Sequence, residues 1–407
     1  MQKVYGLFKG DRVVWIIFAI LCIVSLIEVY SASSTLTYKS HNSLGPIMKH
    51  ALFLLLGTLL VLFLHNFSYM HATWVGFLTL FIAVTLLILT PIIGVRLNDA
   101  SRWIELFGIQ FQPSEFAKLS MVILTAFILS RCQRSTEQMN MAFWIILALT
   151  GGFAILIFSE NLSTALLLSV VVFVLMFFGR MPRKKMLSLL LFVVAAGGLF
   201  LLLLFFVPKI EKVPRWETWH NRLFEHEPTV LEEGFEITKR NFQPSHAKMA
   251  IANGGVFGVF PGNSTQRDYL PQAYSDFIYA IIIEEMGWFG ALFIPLLYLM
   301  LMYRGLRIAK RCTKIFPMLL VMGSTMIIGL QAFINMLVAV GAGPVTGQPM
   351  PLISRGGTST VITCIYFGII LSVSRFGTSD DNEDLLISPE LEQLNQQELD
   401  TSKEYGV

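Results

Sequence analysis

Charged residues are scarce in this chain of 407 residues, in which Asp, Glu, Lys and Arg together make up 14%. An average soluble domain carries about 25% charged residues, so this chain lacks the polar surface that a water-soluble fold of its size requires. Hydrophobic residues make up 55% and aromatic residues 13%, with 33 Phe. The composition excludes a soluble enzyme and indicates an integral membrane protein, in which Phe is favourable at bilayer depth.

Cysteine is also scarce, and no disulfide is expected among the four residues present. All four lie in or beside apolar stretches, inside the bilayer or on its cytoplasmic side, where none has a plausible partner. We expect no cleavable signal peptide, because the first apolar run is too long for one and lacks a small-residue cleavage site. The cysteines are Cys22, Cys132, Cys312 and Cys364.

Ten apolar stretches have the length of about 20 residues that a membrane-spanning helix needs. The fold class predicted is therefore an all-α integral membrane protein, because a single helix bonds all of its own backbone groups inside the hydrocarbon. The approximate limits of the stretches are 12–32, 46–65, 71–93, 114–131, 141–158, 162–180, 186–208, 276–302, 315–342 and 357–375.

The orientation follows from the Lys and Arg residues of alternate connections, which number fifteen on one side and four in the short connections of the other. Cytoplasmic connections carry the excess of Lys and Arg, so both termini are predicted to be cytoplasmic. This asymmetry also accounts for the basic excess, and nucleic acid is not an expected partner.

Two segments fall outside the repeating pattern of spans and short connections. Residues 209–275 form one long outer connection between the seventh and eighth spans, and loops of that length are usually functional or disordered. Residues 377–407 form a tail with nine acidic residues and one lysine, which we expect to be cytoplasmic and disordered. We therefore divide the chain into a membrane domain, 1–376, and this acidic tail.

Charged residues near the ends of spans are costly, and each is a functional candidate. In the first group, Arg102 and Trp103 lie in an outer loop, where they resemble an ordinary interfacial belt. Glu115 and Lys118 follow at the start of the fourth span. Their spacing of three places them on one helix face, where they neutralise each other either as a structural ion pair or as part of a site.

The second group is the outer stretch His246–Gly258, which contains Lys248 and three glycines. Glycines permit close backbone approach, which would suit a bound phosphate. The spacing is not that of a P-loop, because no Gly-Lys-Ser/Thr follows. Tryptophans earlier in the same connection, Trp216 and Trp219, are spaced as on an amphipathic helix and predict an anchor at the outer interface.

The third group begins at Asp276, where the eighth span leaves the outer interface. As a structural residue Asp276 would cap the helix N-terminus. Helical geometry places Glu284 about 80° around the axis and about 12 Å deeper, so that the two carboxylates can share a cavity. Glu285 points to the opposite side, and Gly287 would let a neighbouring helix approach closely.

The fourth group is the outer loop Pro344–Gly357, which is too rich in Pro and Gly to be helical. Irregular backbone at membrane depth is tolerated where it is buried in protein or lines a cavity. Arg355 in this loop would suit an anionic ligand.

Read in order, these motifs resemble the SEDS family (shape, elongation, division and sporulation), over roughly residues 10–376. Gly262-Asn263-Ser264 is more similar to the division members of the family than to the elongation members. The motifs are Arg102-Trp103, Gln112-Pro113-Ser114-Glu115 and Lys118; Ser275-Asp276-Phe277 and Glu284-Glu285-Met286-Gly287; and Pro344-Val345-Thr346-Gly347, Pro351-Leu352-Ile353-Ser354 and Gly356-Gly357.

The resemblance implies a peptidoglycan glycosyltransferase that polymerises lipid II at the outer face of the cytoplasmic (inner) membrane. It also implies a class B penicillin-binding protein as the crosslinking partner, together with other membrane proteins of the division complex. The essential outer-loop aspartate of the family falls on Asp276, which we expect to be the catalytic base.

The diphosphate of such a donor needs positive groups, and Arg102, Lys248 and Arg355 are available on the outer side, with Lys118 deeper. The predicted substrate-binding set is completed by Trp103, Glu115 and Glu284. No metal motif and no certain cofactor is present; a divalent cation, Mg or Mn, held by Asp276 or Glu284 is the candidate. Two other functions stay open, namely a flippase for lipid-linked precursors and a non-catalytic scaffold of the division complex.

Overall fold

The computed structural model describes residues 9–32, 45–97, 100–106, 109–158, 161–207, 216, 219–220, 237, 241–270 and 273–377. Two predictions lie largely outside these ranges. The acidic tail is one, because only Gly377 of it is described, and the first half of the long outer connection is the other. The proposed division into a membrane domain and a tail therefore stays a prediction.

Eleven α-helices account for most of the described residues. Nine of them are long and apolar enough to cross a membrane, and α6, with 17 residues, is a shorter apolar helix. These ten match the ten predicted spans in order, which confirms an all-α multi-pass membrane fold. The helices are α1 Arg12–Ala32, α2 Gly45–Leu64, α3 Ala72–Ile93, α4 Pro113–Arg131, α5 Thr136–Phe158, α6 Leu162–Phe178, α7 Arg183–Phe206, α8 Phe242–Gly254, α9 Ile278–Arg311, α10 Ile315–Ala339 and α11 Thr358–Phe376.

Of the nine long spans, three of the four least apolar, α4, α10 and α11, lie at the centre of the bundle. Most residues of α4, α10 and α11 are buried, whereas α7 buries only Met186 and Leu204 along its whole length. Polar side chains within a span are costly in lipid, so helices that carry Ser, Thr, Gln and Asn are sheltered by the others. The centre of the bundle is therefore where a buried polar site can form.

A small antiparallel sheet connects α3 to α4. Its strands are β1 Val95–Leu97, β2 Ala100–Leu106 and β3 Ile109–Phe111, in the order β1-β2-β3. Arg96 pairs with Ser101, and Glu105 pairs with Gln110. The sequence did not predict this sheet. It places Trp103 on the central strand and leads the chain directly into Gln112, the N-cap of α4.

The stretch predicted as a glycine-rich phosphate loop is largely the helix α8, and two of its three glycines, Gly254 and Gly258, pack against the backbone of α9. Helix α9 breaks at Gly287, whose φ and ψ are 59° and −144°. An added Cβ at Gly287 would lie 2.5 Å from the amide nitrogen of Gly258 and 2.5 Å from the carbonyl of Val256. The close approach predicted for Gly287 is therefore real, but the partner is the turn after α8 and not a neighbouring helix.

That turn supplies the backbone partners that the break in α9 removes. The amide of Val259 donates to the carbonyl of Glu284 at 2.9 Å, and the amide of Phe260 donates to the carbonyl of Glu285 at 2.8 Å. In the other direction, the amide of Trp288 donates to Val256 at 3.1 Å. Irregular backbone at membrane depth needs such internal partners, because lipid offers none.

The two tryptophans predicted to anchor an interfacial helix are buried instead. Trp216 and Trp219 are 7% and 6% exposed and pack against Phe158 and Phe200, near the outer ends of α5 and α7. The indole N–H of Trp216 donates to the carbonyl of Val207 at 2.5 Å. Their rings fix this part of the outer connection to the bundle, and the position at the outer interface stays a prediction.

Candidate functional site

The third and fourth groups of predicted residues meet at the N-terminal end of α9. The amide of Arg355 donates to the carbonyl of Tyr274 at 2.9 Å, and the Ser354 hydroxyl donates to the carbonyl of Ser275 at 2.6 Å. The loop Pro344–Gly357 therefore runs beside the segment that carries Asp276. Two segments about 80 residues apart in the sequence are thus joined by one hydrogen bond between their backbones and one from a side chain to the backbone.

Asp276 lies one residue before Phe277, the N-cap of α9. The capping role considered for Asp276 stays a prediction. Its carboxylate oxygen Oδ1 accepts from the Ser275 hydroxyl at 3.0 Å. Asp276 is 9% exposed, so it combines a largely buried position with some remaining access to solvent.

Arg355 brings a positive charge close to Asp276. Its guanidinium lies over the ring of Tyr274, 5.4 Å from the centroid, two residues before the aspartate. Burial raises the pKa of the Tyr274 phenol, an effect that the positive charge of Arg355 opposes and the negative charge of Asp276 reinforces. Burial lowers the pKa of Arg355. Tyr274 thus interacts electrostatically with both charged groups.

The first group joins the same region through the start of α11. The hydroxyl of Thr358 donates to the carbonyl of Gln110 at 3.1 Å and accepts from the amide of Gln112 at 3.4 Å. Trp103 is half-buried on the adjacent strand. Arg102 lies on the same strand, but its side chain is outside the described part of the chain, so its predicted contact with substrate stays a prediction.

Glu115 and Lys118 form the predicted ion pair inside the bundle. The ammonium nitrogen of Lys118 lies 2.7 Å from Oε1 of Glu115, and the two side chains are 1% and 4% exposed, respectively. Lys118 also donates to the side-chain oxygen of Gln331 on α10 at 2.5 Å. The pair is confirmed as a buried structural contact, while its predicted contact with substrate is not tested.

Two residues of α10 link this ion pair to Asp276, and sequence reasoning missed both. Gln331 contacts Lys118 and donates to the carbonyl of Pro349 at 3.0 Å. Asn335 donates to the carbonyl of Asp276 at 3.0 Å and to that of Gln348 at 2.8 Å. The available signal was two amide side chains, four residues apart, in an otherwise apolar span.

The sequence had predicted that Glu284 shares a cavity with Asp276, but the structure places the Glu284 carboxylate against the outer connection instead. Its carboxylate is 1% exposed and is enclosed by the outer segment Ser264–Gln266. It accepts from the amides of Thr265 and Gln266, both at 3.3 Å, from the Thr265 hydroxyl at 3.0 Å and from the Ser264 hydroxyl. Because both oxygens are engaged, Glu284 acts as an anchor for the outer connection, and direct substrate binding has no geometric support.

Glu285 packs against another helix, as predicted. Its carboxylate accepts from the hydroxyl of Ser31 on α1. Arg267, from the outer connection, donates to the same hydroxyl at 2.9 Å and to the carbonyl of Ser31 at 3.2 Å. The consecutive residues Glu284 and Glu285 therefore fasten α9 to the outer connection and to α1.

Lys248 lies on α8 with an exposed side chain. Its aliphatic stem crosses the outer end of α10, where an added Cβ at Gly341 would lie 2.8 Å from Cε of Lys248. Gly341 precedes the loop Pro344–Gly357, so Lys248 lies beside the start of that loop. Its predicted role toward a diphosphate is not tested.

A divalent cation would need a cluster of side chains that can ligate it. Within the described residues, no group of three or more His, Cys, Asp or Glu side chains is placed to hold a metal ion. Glu284, one of the two carboxylates suggested for this role, is engaged by the outer connection. A cation bound by Asp276 stays a prediction.

Fold and site together define a polytopic membrane protein whose buried polar centre is connected to an aspartate at the N-terminal end of a span. A family model for the FtsW, RodA and SpoVE proteins, described as "Cell cycle protein", matches residues 11–379. The chain belongs to this family, the SEDS proteins, and is close to its FtsW members.

Two curated relatives cover nearly the whole chain. The probable peptidoglycan glycosyltransferase FtsW of Geobacter sp. (strain M18) is 30% identical over 380 residues, which are 92% of this chain and 98% of the relative. The stage V sporulation protein E of Bacillus subtilis (strain 168) is 30% identical over 373 residues, 90% of this chain and 97% of the relative.

Solved structures have the same fold. A chain from a study of polymerization and crosslinking by a peptidoglycan synthase complex superposes with a TM-score of 0.69, at 23% identity, covering 90% of this chain and 98% of that one. The rod shape determining protein RodA of Thermus thermophilus gives a TM-score of 0.62, also at 23% identity, covering 90% and 97%. At this identity the likeness shows the fold alone.

Proposed function

We propose that this protein is a peptidoglycan glycosyltransferase that polymerises lipid II at the outer face of the cytoplasmic membrane during cell division. The observation that carries the proposal is Asp276, a largely buried carboxylate that keeps some access to solvent where α9 begins. Membership of the FtsW-containing family and the names of the full-length relatives support this reaction.

Lipid II is a disaccharide-peptide linked through a diphosphate to a polyprenyl chain. Its lipid is held in the bilayer while its sugars lie in water, so the enzyme works at the interface. The outer loop Pro344–Gly357, the Asp276 segment and the end of β3 are joined there by hydrogen bonds. This position suits a substrate that belongs to both phases.

The reaction is a single displacement with inversion at the donor sugar. Asp276 removes the proton from the 4-hydroxyl of the acceptor sugar, whose oxygen forms a new bond to the anomeric carbon while the bond to the diphosphate breaks. The Ser275 hydroxyl, 3.0 Å from Oδ1, orients the base.

The leaving diphosphate needs fixed positive charge. Arg355, held on Tyr274 beside Asp276, is the best-placed cation. Lys248 lies beside the start of the loop Pro344–Gly357, and Arg102 completes the proposed cradle. Trp103 lines the approach, and the buried Glu115–Lys118 pair supports the site from below.

The partner proposed is a class B penicillin-binding protein that crosslinks the new strands, together with other membrane proteins of the division complex. A solved structure of the same fold comes from a study of polymerization and crosslinking by a peptidoglycan synthase complex, which supports such a pairing. The excess of Lys and Arg on one side supports cytoplasmic termini and an outward-facing site.

The decisive experiment is polymerisation of fluorescent lipid II by the purified full-length protein, with and without the penicillin-binding partner. Wild-type protein should make glycan strands, and Asp276→Asn should make none while still inserting into the membrane. Movement of labelled lipid across vesicles without glycan synthesis would favour a flippase, and neither activity would favour a scaffold. Appreciable polymerisation by Asp276→Asn would refute the assignment of the base.

A further inference from the structure

Helix α10 carries two amide side chains that hold consecutive carbonyls of the outer loop. Gln331 donates to the carbonyl of Pro349 at 3.0 Å, and Asn335 donates to the carbonyl of Gln348 at 2.8 Å. Residues four apart on a helix lie on one face, about 6 Å along the axis. Two successive peptide groups of the loop are thus fixed by two successive turns of α10.

Each of these side chains also contacts a second residue, and both of these residues are part of the proposed site. Asn335 uses its other amide hydrogen on the carbonyl of Asp276, at 3.0 Å. The side-chain oxygen of Gln331 accepts from Lys118, which is paired with Glu115. One face of α10 therefore connects the buried ion pair, the loop and the main chain of the aspartate.

Burial makes these contacts obligatory. Asn335 is 1% exposed and Gln331 is 5% exposed, so water cannot replace a lost partner. A buried carbonyl without a donor costs about 1 to 3 kcal/mol. The backbone of Asp276 is consequently held at one position relative to the loop that carries Arg355.

We propose that Asn335 and Gln331 are positioning residues for the transfer reaction, with Asn335 fixing the base Asp276 and Gln331 fixing Lys118 relative to the loop Pro344–Gly357. This inference rests on the proposed function. Neither side chain touches the reacting atoms; each acts through the residue that it holds. A displacement of about 1 Å at the base can cost about 100-fold in rate, which sets the size of the expected effect.

The test compares Asn335→Ala and Gln331→Ala with Ser324→Ala in the full-length protein and its partner. Ser324 is a matched control, because it is fully buried on the same helix and donates only to the carbonyl of Leu320, within its own helix. Polymerisation rates are measured against lipid II concentration and pH. Lipid II binding to the purified variants is measured separately.

Asn335→Ala should lower kcat about 100-fold, leave lipid II affinity within about threefold, and shift the acid limb of the kcat–pH profile. Gln331→Ala should lower kcat less, and the double variant should lose less than the product of the two, because both amides hold the same loop. Ser324→Ala should match the wild type. A packing role predicts instead a lower yield of folded protein with a normal kcat and pH profile, and that result would overturn the proposal.

If Asn335→Ala fails to insert into the membrane, Asn335→Ser takes its place, because serine keeps one hydroxyl donor. This variant should have an intermediate kcat, and a wild-type kcat would count against the proposal.

The experiments distinguish failure of the positioning role from failure of the proposed function. Normal kcat in the α10 variants, with Asp276→Asn inactive, removes only the positioning role. Full activity of Asp276→Asn removes the proposed function itself.

Discussion

The ammonium of Lys118 lies 2.7 Å from a carboxylate oxygen of Glu115, and neither side chain is more than 4% exposed. A buried ion pair is strongly destabilising to break from one side, because the remaining charge keeps its desolvation cost without its partner.

Lys118→Met should therefore reduce the free energy of unfolding by about 3 to 5 kcal/mol. The double variant Glu115→Gln/Lys118→Met should recover most of this loss, since no charge is left unpaired. The measurement is thermal or denaturant unfolding of the detergent-solubilised protein, with Met121→Leu on the same helix as the control. Equal losses in the single and double variants would contradict the assignment of a coupled pair.

Substitution of Glu284 should destabilise the outer connection locally. Glu284→Ala leaves the buried hydroxyl of Ser264 without its acceptor, at a cost of about 1 to 3 kcal/mol, in addition to the part-buried amides of Thr265 and Gln266. Hydrogen exchange of residues 262–268 should therefore accelerate by at least tenfold, since about 1.4 kcal/mol corresponds to that factor.

Glu105→Ala, at an exposed position on β2, serves as the control and should leave exchange unchanged. Unchanged exchange in Glu284→Ala as well would show that the outer connection is held by other contacts. Glu284 would then be free for the substrate-binding role that the sequence suggested.

The sequence was sufficient for the spans, because bilayer thickness imposes a length and an apolar composition that can be read directly. It was also sufficient for Glu115 and Lys118, whose spacing on one helix face determines their contact. Both predictions rest on local rules. They needed no knowledge of which helices are neighbours.

Predictions that depended on tertiary contacts were wrong or incomplete. Asp276 and Glu284 were placed together by extending one ideal helix outward, but α9 starts after Asp276 and the outer segment Ser264–Gln266 takes the Glu284 carboxylate. Asn335 and Gln331 were overlooked because their partners lie on α4, before α9 and in the loop after α10. Such contacts carry no local signature in the sequence.

Substitution of Gly287 by alanine, which adds only one methyl group, should severely impair folding. Its φ of 59° disfavours any side chain, and an added Cβ would meet backbone atoms of Val256 and Gly258 at 2.5 Å. Val256 accepts from the amide of Trp288, and Val259, next to Gly258, donates to Glu284, so neither backbone segment can move without breaking a hydrogen bond to α9. Gly287→Ala should abolish accumulation of folded protein in the membrane, measured by fluorescence-detected size exclusion.

Gly151→Ala on α5 is the matched control, because an added Cβ there has no atom within 4 Å. It should accumulate at the wild-type level or above it, since Ala is a better helix former than Gly by about 1 kcal/mol. Normal accumulation of Gly287→Ala would mean that the turn Val256–Phe260 is not packed into the break of α9.

Arg355 tests the electrostatics of the proposed leaving-group site. Its guanidinium is stacked on Tyr274 and so is held near Asp276. Arg355→Met removes a charge-assisted contact to the diphosphate worth about 1.5 to 3 kcal/mol, so KM for lipid II should rise by roughly 10- to 100-fold. Arg355→Lys keeps the charge but loses the planar geometry that allows stacking and bidentate contacts, and should fall between Met and the wild type.

Arg375→Lys is the control for the two Arg355 variants, because Arg375 lies at the other end of α11 and donates to Asn66 at 2.8 Å. Its KM should equal that of the wild type. Wild-type KM in Arg355→Met would assign the diphosphate to Lys248 and Arg102 alone. A fall in kcat at constant KM would mean that the charge of Arg355 acts on the base Asp276 and not on the leaving group, because only an effect confined to the transition state leaves substrate binding unchanged.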